Sequence, residues 1–171
     1  MTGVQTCALP ILIVAAVVAG APAVARAQAT PSLQGAWRVT EIVQTGANAA
    51  TNKNPQPSLY MFTKQHYSIM TVNGTAARKD FGAPRDPLKL TDAEKGARYV
   101  AWDAFTANSG TYQVSGSMLT TRPVVAKNPG VMTGPAAVRE FRIQGNTLTL
   151  IQKSAAGQPV SETRTTLTRL E

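Results

Sequence analysis

From Gly110 to Leu170 the sequence alternates apolar and polar residues in five short runs, each ended by a turn. The runs are Gly110–Ser115, Met118–Ala126, Ala137–Gln144, Thr147–Gln152 and Val160–Leu170, with turns at Ser115-Gly116-Ser117, Gly145-Asn146 and Gly157-Gln158-Pro159. A period of two sets one face of each strand against a core and the other in water. Consecutive strands of this kind make an antiparallel meander, which must close into a barrel or protect its edges.

The residues before this run supply three more strands and a helix. Gly35–Val43 is the first strand; taking Trp37 as inward puts Val39, Glu41 and Val43 on the same face. Gly46–Pro57 reads as a polar loop, and Leu59–Thr63 with Tyr67–Val72 as a hairpin around Lys64-Gln65-His66. Leu59-Tyr60-Met61-Phe62 is apolar on both faces, so alternation does not orient it. After the loop Asn73–Leu90, Thr91-Asp92-Ala93-Glu94 is a capping box that predicts a helix running to about Ala107. Ala93, Ala97, Val100, Ala101 and Ala104 form a stripe of small residues, and Glu94 and Arg98 have the spacing of a helical ion pair. Trp102 points away from the stripe, either packed under a loop or acting as a lid over a cavity mouth.

The expected fold is all-β: an eight-stranded antiparallel up-and-down barrel with one helix between the third and fourth strands. Eight strands close around either packed side chains or one small ligand, and periodicity does not separate the two.

Residues 1–29 are expected to lie outside that domain, which then spans 30–171. Leu9–Val18 is an apolar run, and Ala27-Gln28-Ala29 is a small-residue cleavage pattern, as in a secretory signal peptide. No basic residue precedes the run, and Met1–Ile11 resembles a translated sequencing adapter. The only cysteine, Cys7, falls in that stretch, so the domain has no disulfide, thiol nucleophile or thiolate metal site. The expected location is periplasmic or secreted.

Leaving out residues 1–29 removes Arg26 and no acid, taking the formal charge from +8 to +7. The positive charges are scattered from Arg38 to Arg169, which describes a solvated surface with at most weak attraction to an anionic envelope surface. No nucleic-acid recognition motif is present, and none is expected of an exported protein.

Gly35-Ala36-Trp37 on the first strand, with Leu167-Thr168-Arg169-Leu170 at the end of the last, resembles the lipocalin-type (calycin) barrel signature. The middle of the chain is similar to the bacterial lipocalin-like domain family. The shared motifs are Ser109-Gly110-Thr111-Tyr112-Gln113-Val114, Asn128-Pro129, Val138-Arg139-Glu140-Phe141 and Gly145-Asn146-Thr147-Leu148-Thr149-Leu150. The resemblance covers nearly all of Leu33–Glu171. It implies a barrel whose floor is closed by the Trp37 indole under the Arg169 guanidinium, and a cavity rather than a defined activity. Two positions depart from the family pattern: Leu167 stands where relatives often carry Trp, and Thr121 where they often carry a polar aromatic residue or His.

Catalytic chemistry is sparse. His66, the only histidine, falls in a hairpin turn, and the carboxylates Asp80, Asp86, Asp92 and Glu94 lack calcium-loop spacing. No transition-metal ligand set, phosphate cradle or nucleophile–base pair is recognisable, so no metal or cofactor is expected. What remains is the barrel interior. With Arg169 and Leu167 inward, alternation adds Tyr112, Val114, Leu119, Thr121, Arg139, Phe141, Ile143, Leu148 and Leu150. Glu41, Tyr112, Leu119, Thr121, Arg139, Phe141 and Leu150 are the candidate ligand contacts, with Trp37 and Arg169 structural. Arg139 and Glu41 either pair with each other inside the barrel or leave Arg139 to bind a ligand carboxylate.

The expected function is binding of a small hydrophobic or amphipathic molecule by a monomer. The alternatives are an isomerase or dehydratase using Glu41, Tyr112 and Arg139 in the same cavity, and a filled-barrel envelope protein without a ligand.

Overall fold

The computed structural model describes Gly3, residues 32–83 and residues 86–171; the expected signal segment 1–29 otherwise lies outside the described residues. Nine antiparallel strands follow one another: β1 (Gly35–Gln44), β2 (Ala50–Asn52), β3 (Ser58–Phe62), β4 (His66–Val72), β5 (Phe105–Ser115), β6 (Met118–Ala126), β7 (Ala137–Gln144), β8 (Thr147–Lys153) and β9 (Glu162–Arg169). Each neighbour from β3 to β9 pairs with the next, and β1 pairs with both β3 and β9. Eight strands thus close into a barrel, which leaves no open edge on that ring.

The ninth strand corrects the expected helix position. Ala50–Asn52, read from sequence as loop, pairs with Ile42–Gln44 of β1 as a short ribbon outside the ring. With β2 counted, the helix α1 (Asp92–Asp103) lies between the fourth and fifth strands rather than the third and fourth. Pairing with β1 satisfies backbone groups that a loop would leave to water.

Helix α1 also ends earlier than its sequence suggests. Its start is the expected capping box: the Glu94 amide donates to the Thr91 hydroxyl at 3.2 Å, and the Thr91 amide to the Glu94 carboxylate at 2.8 Å. Phe105–Ser109, expected as helix or loop, pairs instead with Ser68–Val72 of β4, which needs a partner to close the ring. The Lys127 ammonium completes the helix end, donating to the carbonyls of Trp102 and Asp103 at 2.9 Å each.

Arg98 does not pair with Glu94. Its guanidinium donates to the Gly82 and Phe81 carbonyls and lies over the Phe81 ring, tying the preceding loop to the helix. Ala97, Val100, Ala101 and Ala104 of the small-residue stripe border a groove against that loop. Trp102 is half exposed, with the Lys127 ammonium 4.1 Å from its ring centre. A short second helix, α2 (Gly130–Thr133), follows β6.

The core lies inside the barrel. Trp37, Leu119, Leu148 and Leu167 are fully buried, with Leu33, Val39, Phe62, Tyr67, Ile69 and Leu150 packed around them. Full burial of such a side chain contributes about 1.5–3 kcal/mol. Trp37 and Arg169 stack: the Arg169 guanidinium lies 4.0 Å from the Trp37 ring centre and donates to the Gln34 and Ser32 carbonyls. The indole N–H donates to the Leu33 carbonyl at 2.9 Å. Gly35 must be glycine, because its φ is +126° and a Cβ there would strike the Glu171 carbonyl and stand 2.7 Å from the Arg169 guanidinium.

Candidate functional site: the barrel interior

The inner face begins with an irregularity in β1. Val39 lies opposite Leu167, but the next pair is Glu41 with Thr166, so Thr40 is an extra residue in β1. A bulge of this kind reverses the side-chain parity beyond it. Ile42, opposite Thr165, therefore packs on the core cluster, and Glu41 moves to the outer face beside Thr166. The expected inward Glu41 is corrected, and with it the interior Glu41–Arg139 pair. The Thr40 hydroxyl holds the bulge by donating to the Thr166 carbonyl at 3.2 Å.

The other candidate residues come together on one wall. Tyr112 lies opposite Thr121, Leu119 opposite Arg139, and Phe141 opposite Leu150. Leu119, Thr121 and Leu150 are buried, and Tyr112 and Phe141 pack against the core cluster. Tyr112 is committed to structure: its ring meets Phe62 edge-on at 5.4 Å, and its hydroxyl donates to the Thr63 carbonyl at 2.6 Å. Thr121 donates weakly to the Ala137 carbonyl at 3.4 Å. Val114, expected inward, is 47% exposed at the end of β5.

Three polar residues on the facing wall were not singled out from sequence. Tyr60 lies opposite Trp37 and Ile69 on the inner face. Tyr67 and Asn108 are inward too, and the Tyr67 hydroxyl donates to the Asn108 side-chain oxygen at 2.7 Å. Alternation from Tyr67 through Ile69 to Thr71 carried the signal for Tyr67. Tyr60 had none, sitting in a run apolar on both faces. Burial pushes the Tyr60 phenol above the ordinary tyrosine range, and the Arg139 charge draws it partly back. Burial raises Tyr67 likewise, opposed first by the Thr121 hydroxyl and then by Arg139.

Arg139 is inward as well, opposite Leu119 of β6. Its neighbours along β7 confirm the direction, since Val138 is 51% exposed while Phe141 packs on the core. Among the described residues no carboxylate or carbonyl accepts from the Arg139 guanidinium, and none bonds the Tyr60 hydroxyl. Neither group is a sealed polar atom, so both ends reach accessible space. The neighbouring acids are engaged outside: Glu140 with Arg142 at 2.7 Å and Glu162 with Arg164 at 3.0 Å.

The remaining chemistry lies away from this inner face. His66 is exposed at the start of β4, its ring on the outer face. Among the described residues no group of three or more His, Cys, Asp or Glu is placed to hold a metal ion. A surface hollow of about 440 Å³ between Trp102 and Asn128 is bordered by Tyr99 and Lys127.

Comparison with known proteins finds no matching family model, no matching curated protein and no matching solved structure. The closed eight-stranded antiparallel barrel is compatible with a calycin-like fold.

Proposed function

We propose that this protein binds one small amphipathic molecule inside its barrel. The observation that supports the reading is the pair of inward polar groups, Arg139 and Tyr60, without protein partners in a largely apolar lining. A cation left unpaired beside apolar walls is costly, and a protein that needed only a filled core would gain by replacing it. An apolar chamber with a few convergent polar groups is the composition of a small-molecule site. The isomerase or dehydratase reading is weakened by the position of Glu41, which takes the one carboxylate proposed as base out of the chamber.

The test is a titration with the neutral, environment-sensitive probe N-phenyl-1-naphthylamine. Saturable binding of one molecule per chain, abolished by Leu150→Trp in a protein of unchanged circular dichroism, is the expected result. Absence of saturable binding favours the filled barrel. Export to the periplasm or beyond is part of the proposal and rests on residues 1–29 alone. Among the described residues no helix is long and apolar enough to cross a membrane.

A further inference from the structure

We propose that the surface hollow beside Trp102 is a second binding site, one that takes an uncharged sugar and stands apart from the barrel interior. Its volume of about 440 Å³ falls within the ordinary range of small-molecule sites, about 300–1,000 Å³. Its walls come from the end of α1, the start of β5 and the turn that joins β6 to α2. The largely buried Lys127 side chain ties these walls together. Its ammonium bonds the Trp102 and Asp103 carbonyls and, at 3.2 Å, the Asp103 carboxylate. Two aromatic side chains stand in the open at the rim. Tyr99 and Trp102, three residues apart on α1, are 61% and 51% exposed, with ring centres 6.3 Å apart and planes inclined by 39°. Large apolar surface left in water beside a hollow marks a contact surface.

The polar groups around the rings decide what fits. All three Lys127 donors are engaged, and the Asp103 carboxylate balances the ammonium, so an anion meets no free cation in the lining. A cation fares no better, because the Lys127 ammonium already lies 4.1 Å from the Trp102 ring centre. A purely apolar ligand would strip water from three polar groups. The Asn128 oxygen accepts from the Gly130 amide at 3.0 Å, and the Asn108 oxygen from the Tyr67 hydroxyl at 2.7 Å. Both side-chain NH2 groups are thereby left without an acceptor among the described residues, and the second Asp103 oxygen without a donor. Two donors and one acceptor beside a bent aromatic platform suit an uncharged molecule with hydroxyls at its rim and an apolar C–H face. A pyranose has that form. A flat heterocycle would be held best between parallel faces, and these two rings sit on one helix at an incline of 39°.

The test is ligand-observed NMR titration of the protein with glucose, galactose, mannose, N-acetylglucosamine and their disaccharides. Glucosamine, glucuronate and adenosine serve as the cationic, anionic and flat contrasts. At least one uncharged sugar should bind saturably and more tightly than all three contrasts. Trp102→Ala and Tyr99→Ala should each weaken that sugar by about three- to tenfold, the worth of an aromatic contact. Asn128→Asp keeps the bond to the Gly130 amide and loses the NH2 donor, so it should weaken the sugar by about two- to tenfold. The three positions are exposed, and far-UV circular dichroism should not change; if one variant fails to fold, the other two still decide. No saturable binding by any uncharged sugar up to about 20 mM overturns the inference. Unchanged affinity in the variants, or tighter binding of glucosamine, glucuronate or adenosine, overturns it too. Displacement of N-phenyl-1-naphthylamine by the sugar would put both in one site and overturn the claim that the hollow stands apart. Failure of the naphthylamine alone to bind strikes only the interior reading.

Discussion

Replacing Trp37 with alanine should cost more than any other single truncation at the barrel floor. The indole is fully buried among Leu33, Val39, Leu148 and Leu167, so its removal leaves a cavity that strands on all sides hold open. Truncating a buried large aromatic costs about 3–5 kcal/mol. The Leu33 carbonyl also loses its 2.9 Å donor, worth about 1–3 kcal/mol where water cannot replace it. Together these approach the whole stability of an ordinary domain, about 5–15 kcal/mol. Trp37→Phe keeps most of the packing and should lose mainly the hydrogen-bond part. Arg169→Ala removes the cation over the ring, about 0.5–2 kcal/mol, and two contacts to the Gln34 and Ser32 carbonyls, but leaves the core filled. The assay is urea unfolding followed by far-UV circular dichroism, comparing midpoints at unchanged slope. The expected order of loss is Trp37→Ala, then Trp37→Phe and Arg169→Ala. A Trp37→Ala protein within about 1 kcal/mol of the parent, or an Arg169→Ala loss equal to it, would refute the floor argument.

The capping box makes α1 sensitive to acid. The Thr91 amide and hydroxyl hold the Glu94 carboxyl below its ordinary range, so this support is present above about pH 4.3 and lost as pH falls through the lower folded value. The helical signal should weaken over that window, and Glu94→Gln should remove the step while Thr91→Ala, which keeps the amide contact, should only shrink it; an unchanged step in Glu94→Gln would assign it to another group. At the alkaline end, burial raises Tyr60, Tyr67 and Tyr112, so their contribution is intact below about pH 10 and lost as pH rises through the higher folded values. Arg139→Met should push Tyr60 and Tyr67 up further in a carbon-NMR titration and leave Tyr112 in place. Equal movement of all three would mean a general loosening of the barrel.

The meander from Met118 onward was legible because its strands obey a single rule. Apart from Ile151, buried on the outer side of β8, they alternate about an inward face, and the fully buried Leu119, Leu148 and Leu167 all sit where alternation puts them. Trp37 and Arg169 were legible through the barrel signature, and their 4.0 Å stacking follows. The end of α1 was not. Phe105–Ser109 is indifferent by local pattern, and its strand conformation depends on Ser68–Val72, more than thirty residues away in the chain. Ala50–Asn52 is indifferent in the same sense, becoming a strand only because β1 extends beyond its pairing with β3 and offers it an edge.

The site turns on a smaller irregularity still. Alternation carried through Gly35–Val43 puts Glu41 on the Trp37 face, where a carboxylate would neutralise Arg139 and make the interior self-satisfied. One extra residue at Thr40 reverses that face, and nothing in the local sequence marks it. The bulge forms between two strands distant in sequence, where the Thr40 hydroxyl finds the Thr166 carbonyl. It exchanges Glu41 for Ile42 on the inner wall and so converts a paired interior charge into an unpaired one. The Tyr60 hydroxyl was hidden for a related reason, because an all-apolar run conceals which tip points inward until Trp37 and Ile69 fix its register. The strands that close the barrel therefore also set its electrostatics. Sequence left Arg139 either paired with Glu41 or open to a ligand carboxylate, and the bulge decides against the pair.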